Sequence, residues 1–318
     1  MSTRAPSHEH QAPRMRTGVL VMAYGTPATP ADIEPYYTHI RRGRPPTEEQ
    51  LGDLVSRYAA IGGISQLAAH TEAQRAALAA RLEASQPGRF AVGLGQKHAF
   101  PFVEDGVDAL VAEGVDHLIG VVLAPHYSGF SIGQYAERAR AQAATHGIDA
   151  SCVERWADLP AFVDHQAASL RDRLTRLPSR TKVVFTAHSL PERVLVDDPY
   201  PDELHRSAAA IAAAAGLGSW SDWGVAWQSA GRTPEPWRGP DILDVIDDLA
   251  STGSADGVIV VPQGFTSDHL EVVYDLDIEA AARAEARGLA FARTDVVGAD
   301  PAVMSALADR VAELADDS

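Results

Sequence analysis

A single cysteine, Cys152, serves all 318 residues. One thiol excludes an intrachain disulfide and any all-cysteine metal centre within one chain, and it suits a reducing compartment. No apolar run approaches the roughly 20 residues needed to cross a bilayer. The first residues, 1–14, are polar, contain Pro and His, and lack the apolar heart of a secretion signal. They read as a disordered tail, and the chain reads as cytoplasmic. Positive charge is also scarce: 27 Lys and Arg stand against 43 Asp and Glu, a net charge of −16. Such a chain is unsuited to general binding of nucleic acid or anionic membrane, so any anionic ligand must meet a local basic cluster. Glycine-rich dinucleotide fingerprints, Walker loops, HExxH zinc spacing and serine nucleophile elbows are missing too, which argues against nucleotide-dependent chemistry.

What is present is a globular composition, 46% hydrophobic and 22% charged, in a chain long enough for two domains each with its own core. Gly18–Ala23 reads as a buried strand ending at Tyr24-Gly25-Thr26-Pro27. Helices are expected around Ile33–Ile40 and from about Thr71 to Ala84, with strands at Phe90–Leu94 and His117–Leu123. The second half repeats the pattern. Val183–Ala187 ends at His188-Ser189-Leu190-Pro191, Trp223–Trp227 ends at Gln228, and Gly257–Val261 ends at Pro262, as an earlier strand ends before Pro125. Alternating strands and helices predict α/β architecture with parallel sheets flanked by helices. Ligands bind beyond the carboxyl ends of such strands. Two facing sheets therefore predict a cleft lined by Tyr24, Lys97, His98, His126, His188, Gln228 and Glu271. Trp227 and Trp237 read as core.

After Thr266-Ser267-Asp268, read as helix-capping residues, Glu271, Asp275 and Glu279 recur at i, i+4 and i+8 on one helix face, with no Lys or Arg between them. Their mutual repulsion calls for something positive, a divalent cation or a travelling proton. A solvated acidic face on an acidic protein has the same pattern. His188 closes a buried strand, and with Glu271 on the opposite wall it would make an open site for a borderline divalent metal such as Fe2+. Arg41, Arg42 and Arg44 form the densest basic cluster. They suit a helix C-terminus stopped at Gly43, and equally a carboxylate receptor with Arg57, Tyr58 and Ser65.

Taken together, Leu20–Pro27, Tyr36–Arg44, Ala187–Glu192, Trp227–Ser229 and Ser267–Glu271 resemble the ferrochelatases, and the resemblance runs from about Gly18 to the last helix. It implies a chelatase-like fold of two similar Rossmann-like domains, residues 15–168 joined by a C-terminal segment 292–318, and residues 169–291. It implies insertion of Fe2+ into a porphyrin, with His188 and Glu271 handling the metal and the pyrrole protons. Met22-Ala23-Tyr24-Gly25-Thr26-Pro27 is similar to the coproporphyrin III type, in which the tyrosine can ligate the iron of the product. Porphyrin contacts then fall on Tyr24, Arg41, Arg57, Tyr58, Ser65 and Tyr135, with Lys97 and His98 in the cleft.

Asp275 and Glu279 would relay protons outward or metal inward, and could hold an accessory divalent ion. No organic cofactor is implied, and Cys152 alone cannot hold a 2Fe–2S cluster. The partners expected are coproporphyrin III, Fe2+ and, transiently, neighbouring haem-pathway enzymes, with the chain a monomer and neither nucleic acid nor membrane involved. Rival readings are a protoporphyrin IX ferrochelatase, a cobalt or nickel chelatase of the same fold, and a porphyrin or haem carrier that does not metalate.

Overall fold

The computed structural model describes residues 16–218 and 222–317; the tail expected over 1–14 lies outside them. Eight strands form two parallel four-stranded sheets. The first comprises β1 (Thr17–Ala23), β2 (Phe90–Gln96), β3 (His117–Val122) and β4 (Asp149–Val153), in the order β2-β1-β3-β4. The second comprises β5 (Thr181–His188), β6 (Trp223–Gln228), β7 (Gly257–Val261) and β8 (Ala290–Arg293), in the order β6-β5-β7-β8. The orders are identical, so the duplication read in the sequence is a duplication of topology. Its register is offset by one residue: Gln96 pairs with Ala23, whereas Gln228 pairs with His188. By that pairing His188 corresponds to Ala23 rather than Tyr24.

On the first lobe, α1 (Ile33–Ile40), α2 (Glu48–Ala60) and α3 (Leu67–Ser85) separate β1 from β2. α4 (Val103–Ala112) and α5 (Ile132–Thr145) follow β2 and β3. α1 keeps the expected bounds and ends through Arg42 and Gly43, both with positive φ. α3 starts at Leu67, four residues before the position expected from its Ala-rich run. α6 (Pro160–Leu174) carries the chain to the second lobe, where α7 (Tyr200–Ala215) and α8 (Ile242–Ser251) flank the sheet.

The two lobes do not keep separate cores. Val19, Val21, Ile119 and Val121 from the first sheet share one apolar cluster with Val183, Phe185, Ile259 and Val261 from the second, through Phe162 and Leu170 of α6 and Met304 and Leu307 of the C-terminal helix Pro301–Asp316. Each sheet has a smaller private cluster on its other face, around Leu20, Val107 and Leu118 in the first and Val184, Ile246 and Val260 in the second. The expectation of two independent cores is therefore corrected. Strands buried on both faces need apolar residues at successive positions, and β1, β3 and β7 have them.

The helix expected after β7 is interrupted. It is α-helical over Leu270–Val272, π-wound over Val273–Ala280 and α-helical again over Ala281–Ala286. A π run is rare, and one turn of it marks functional sites often. The supposed caps are employed elsewhere. Thr266 Oγ1 donates to Leu123 O at 2.9 Å and Ser267 Oγ to Gln74 Oε1 at 2.9 Å, both in the first lobe, and Asp268 pairs with Arg293. His269, extended at φ −153°, precedes the helix without a side-chain cap.

Candidate active site

Between the lobes lies a cavity of about 1190 Å³, ample for a large flat ligand. Residues following the carboxyl ends of β1, β2, β3 and β5 open onto it, as parallel sheets dictate. Tyr24, Lys97, His98, His126, His188 and Glu271 line it as expected, and Asp275 does too. Gln228 does not; it is buried behind the wall, where its Nε2 donates to the Glu271 carbonyl at 2.9 Å. Glu279 is not part of the wall either. Trp227 is core, while Trp237, expected to be core, lines the cavity.

His188 and Glu271 do not face each other across the cavity. His188 Nε2 is 3.5 Å from Glu271 Oε1, because the last residue of β5 and the first turn of the acidic helix are neighbours in the same lobe. That spacing leaves no gap for a macrocycle between them. The opposite wall is Tyr24, on the first lobe, 41% exposed and with its ring centroid 4.6 Å from that of His98.

Glu271 has a second imidazole. His269 Nε2 is 3.5 Å from Glu271 Oε2. Each histidine turns Nδ1 to a backbone carbonyl, His188 to Ser189 O at 2.5 Å and His269 to Ser267 O at 3.0 Å. A carbonyl only accepts, so Nδ1 carries the proton in both rings, and Nε2 is where protons come and go. Removal from water opposes charge on His188, yet the Glu271 carboxylate overcomes it and raises the imidazole to about 9. The same partner, helped by His269, holds Glu271 well below the carboxylate range against its own desolvation. The residue pattern had not singled out His269. It stands two residues before Glu271, extended while Leu270 and Glu271 are already helical, and that turn of the chain brings its ring to the carboxylate.

Asp275 shows the opposite effect: burial pushes it up to about 7, while the Ser229 hydroxyl, which donates to it, and Arg57 hold it down. Arg57 Nη1 lies 3.6 Å from Asp275 and its Nε 3.2 Å from Asp53. The acidic row is thus answered by a cation from α2, which sequence spacing could not reveal.

The basic residues gather on the same cavity. Arg41, Arg42, Arg44, Arg57, Lys97 and Arg138 all line it, with Tyr58, Ser65 and Tyr135 among them. Arg41 therefore serves both as a helix-end cation and as part of the wall. Tyr58 and Tyr135 are nearly buried, and the Lys97 ammonium sits 5.0 Å from the Tyr135 ring centroid. Burial, then Arg138 and Arg42, lowers Lys97 to about 8. His98, lowered to about 3 chiefly by burial, meets His39 at 3.0 Å, Nδ1 to Nδ1. The Ser65 hydroxyl accepts from Leu67 N, opening α3.

This is a two-lobed chelatase fold with a histidine–glutamate pair on one wall and a basic rim. The fold is shared with the solved structure of SirB from Bacillus subtilis with Fe3+, at a TM-score of 0.57 and 16% identity over 95% of this chain and 97% of that one. It is shared also with CbiX, the terminal enzyme for biosynthesis of siroheme in denitrifying bacteria, at a TM-score of 0.53 and 17% identity over 93% and 98%. A family model described as ferrochelatase matches residues 16–315. The protein from Anoxybacillus flavithermus named coproporphyrin III ferrochelatase is 44% identical over 298 residues, 92% of this chain and 94% of that protein. Its namesake from Bacillus subtilis is 43% identical over 302 residues, 93% and 96%. The chain belongs to the ferrochelatase family.

Proposed function

We propose that this ferrochelatase inserts Fe2+ into coproporphyrin III to give Fe-coproporphyrin. The observation that carries the choice of substrate is the cation-rich rim of the cavity, Arg41, Arg42, Arg44, Arg57, Lys97 and Arg138, in a chain of net charge −16. A macrocycle with four carboxylates would meet these cations, of which Arg57 and Arg138 already hold Asp53, Asp275 and Glu104. The ring would lie between Tyr24 and the His188–Glu271 pair, its carboxylates on Arg41, Arg57, Tyr58, Ser65 and Tyr135.

Metalation displaces two pyrrole protons. Glu271 lies between His188 Nε2 and His269 Nε2, and His188, which already carries a proton there, takes up a pyrrole proton only after passing its own outward. His188 rests protonated near neutral pH, so Fe2+ must expel that proton before the imidazole lone pair is free. Asp275, which titrates near 7, is the next acceptor outward, then Glu279. Ring distortion would come from walls fixed by the shared core rather than from wide lobe closure, because that core spans both sheets. We further assign it to the cytoplasm, as a monomer needing no resident cofactor. Any accessory divalent ion at Asp275 and Glu279 must displace Arg57.

Anaerobic incubation with Fe2+ and coproporphyrin III, then with protoporphyrin IX, tests this by absorbance. Faster metalation of coproporphyrin supports it, and preference for protoporphyrin selects the rival ferrochelatase reading. Binding without metalation would make the chain a carrier.

A further inference from the structure

The π-wound segment needs something to hold it. Arg293 ends β8, the edge strand of the second sheet. Its Nε and one terminal nitrogen take both oxygens of Asp277 at 2.7 and 2.8 Å, and the other terminal nitrogen reaches Asp268 Oδ1 at 3.1 Å and donates to Thr294 O at 3.2 Å. The Arg293 side chain is only 13% exposed, while its partners Asp268 and Asp277 reach solvent at 39% and 37%. Asp268 stands three residues before Glu271, and Asp277 six after it, inside the π run. One guanidinium thus grips the acidic helix on both sides of Glu271. A π turn takes about one residue more than an α turn. Glu271 lies in the α turn just before the π run, so rewinding residues 273–280 as α-helix with Asp277 held by Arg293 would rotate that turn relative to His188. A shallow surface depression lined by Arg173, Asp277, Ala281, Phe291, Arg293 and Asp295 adjoins the clamp.

We propose that Arg293 is a positioning residue for metal insertion: by clamping Asp268 and Asp277 it holds the π-wound helix in the register that sets Glu271 against His188. The inference rests on the reading of Glu271 as a reacting group. Arg293 touches no cation of the basic rim, so it should govern turnover and not porphyrin binding.

The test compares Arg293→Ala, Arg293→Lys, Asp277→Asn and Glu271→Gln for Fe2+ insertion into coproporphyrin III, below each variant's unfolding temperature. Arg293→Ala is expected to lower kcat about tenfold or more, about 1.4 kcal/mol or more of barrier, with KM for the porphyrin within about twofold. Arg293→Lys, which keeps one contact, should recover part of the rate, and Asp277→Asn should repeat the loss with the fold intact. Wild-type kcat in Arg293→Ala, or kcat and KM failing together with no recovery in Arg293→Lys, overturns the proposal. Retained turnover in Glu271→Gln would instead overturn the role given to Glu271, so the two failures are distinguishable.

Discussion

Arg57 on α2 of the first lobe and Asp275 on the acidic helix of the second lie 3.6 Å apart, Nη1 to Oδ1. The contact ties a cation of the cavity's basic rim to the carboxylate next in line after Glu271. Arg57→Ala should raise KM for coproporphyrin III about tenfold, the worth of one charge-assisted contact. It should also push Asp275 above about 7, since Arg57 is one of the groups holding it down. A fluorescence-quenching titration of porphyrin binding checks the first effect, and the pH profile of turnover the second.

His188 is raised to about 9 and Glu271 is depressed. The pair's contribution to stability is complete between the ordinary carboxylate and imidazole ranges. It is lost as pH rises through about 9, where His188 discharges, and as pH falls through the depressed value of Glu271. Glu271→Gln removes the main cause of the raised value, so His188 should fall toward 6.5 or below. NMR titration of the imidazole reads this directly, and an unmoved value would deny the coupling.

Along the acidic helix, Glu271→Ala should cost about 100-fold or more in kcat, the scale of a lost acid–base group. Asp275→Ala and Glu279→Ala should cost about tenfold or less, because the proposed relay gives them no contact with the reacting ring. Equal losses at all three positions would contradict a relay.

His126 is fully buried, with Nε2 at 2.6 Å from Ser207 Oγ across the lobe boundary, and burial lowers it to about 3. The unfolded chain takes up this proton near 6.5, the folded one does not, so stability falls as pH drops from about 6.5 toward 3. His126→Asn should flatten that acid limb. Denaturant melts at about pH 7 and about pH 4.5 would show it.

Gly264, just past β7, has no room for a methyl group. An added Cβ would sit 2.5 Å from Ala187 Cβ and 2.9 Å from its Cα, one residue before His188. Gly264→Ala should destabilise by about 1–3 kcal/mol and displace His188, lowering kcat beyond what the loss of folded protein explains. Equilibrium unfolding and kcat measured on the same sample separate the two effects.

The strands at the centre of each sheet were legible because burial on both faces leaves a largely apolar run rich in β-branched residues. The edge strands β4 and β8 were not: Asp149–Val153 and Ala290–Arg293 are short and half exposed, and neither shows a run. Among the residues proposed for porphyrin and metal, the strand-end positions Tyr24, Lys97, His98 and His188 were readable from topology, since chain direction fixes the rim they occupy. The side of the cleft that Glu271 takes was not readable, because it depends on how the helix leaves β7. Nor was the π winding, since residues at i and i+4 share a face in either helix. Thr266 and Ser267 misled for a simple reason. A hydroxyl beside a helix start suits a cap, and only the neighbouring lobe reveals that Leu123 and Gln74 claim them instead.

The apolar layer common to both sheets bears on how the molecule handles heat and force. A hinged pair of jaws would let one lobe melt while the other survived; here Val21 and Phe185 lean on the same α6 and C-terminal side chains. Unfolding should therefore run as one cooperative event, and the gap between the lobes has its width cast when the chain first collapses.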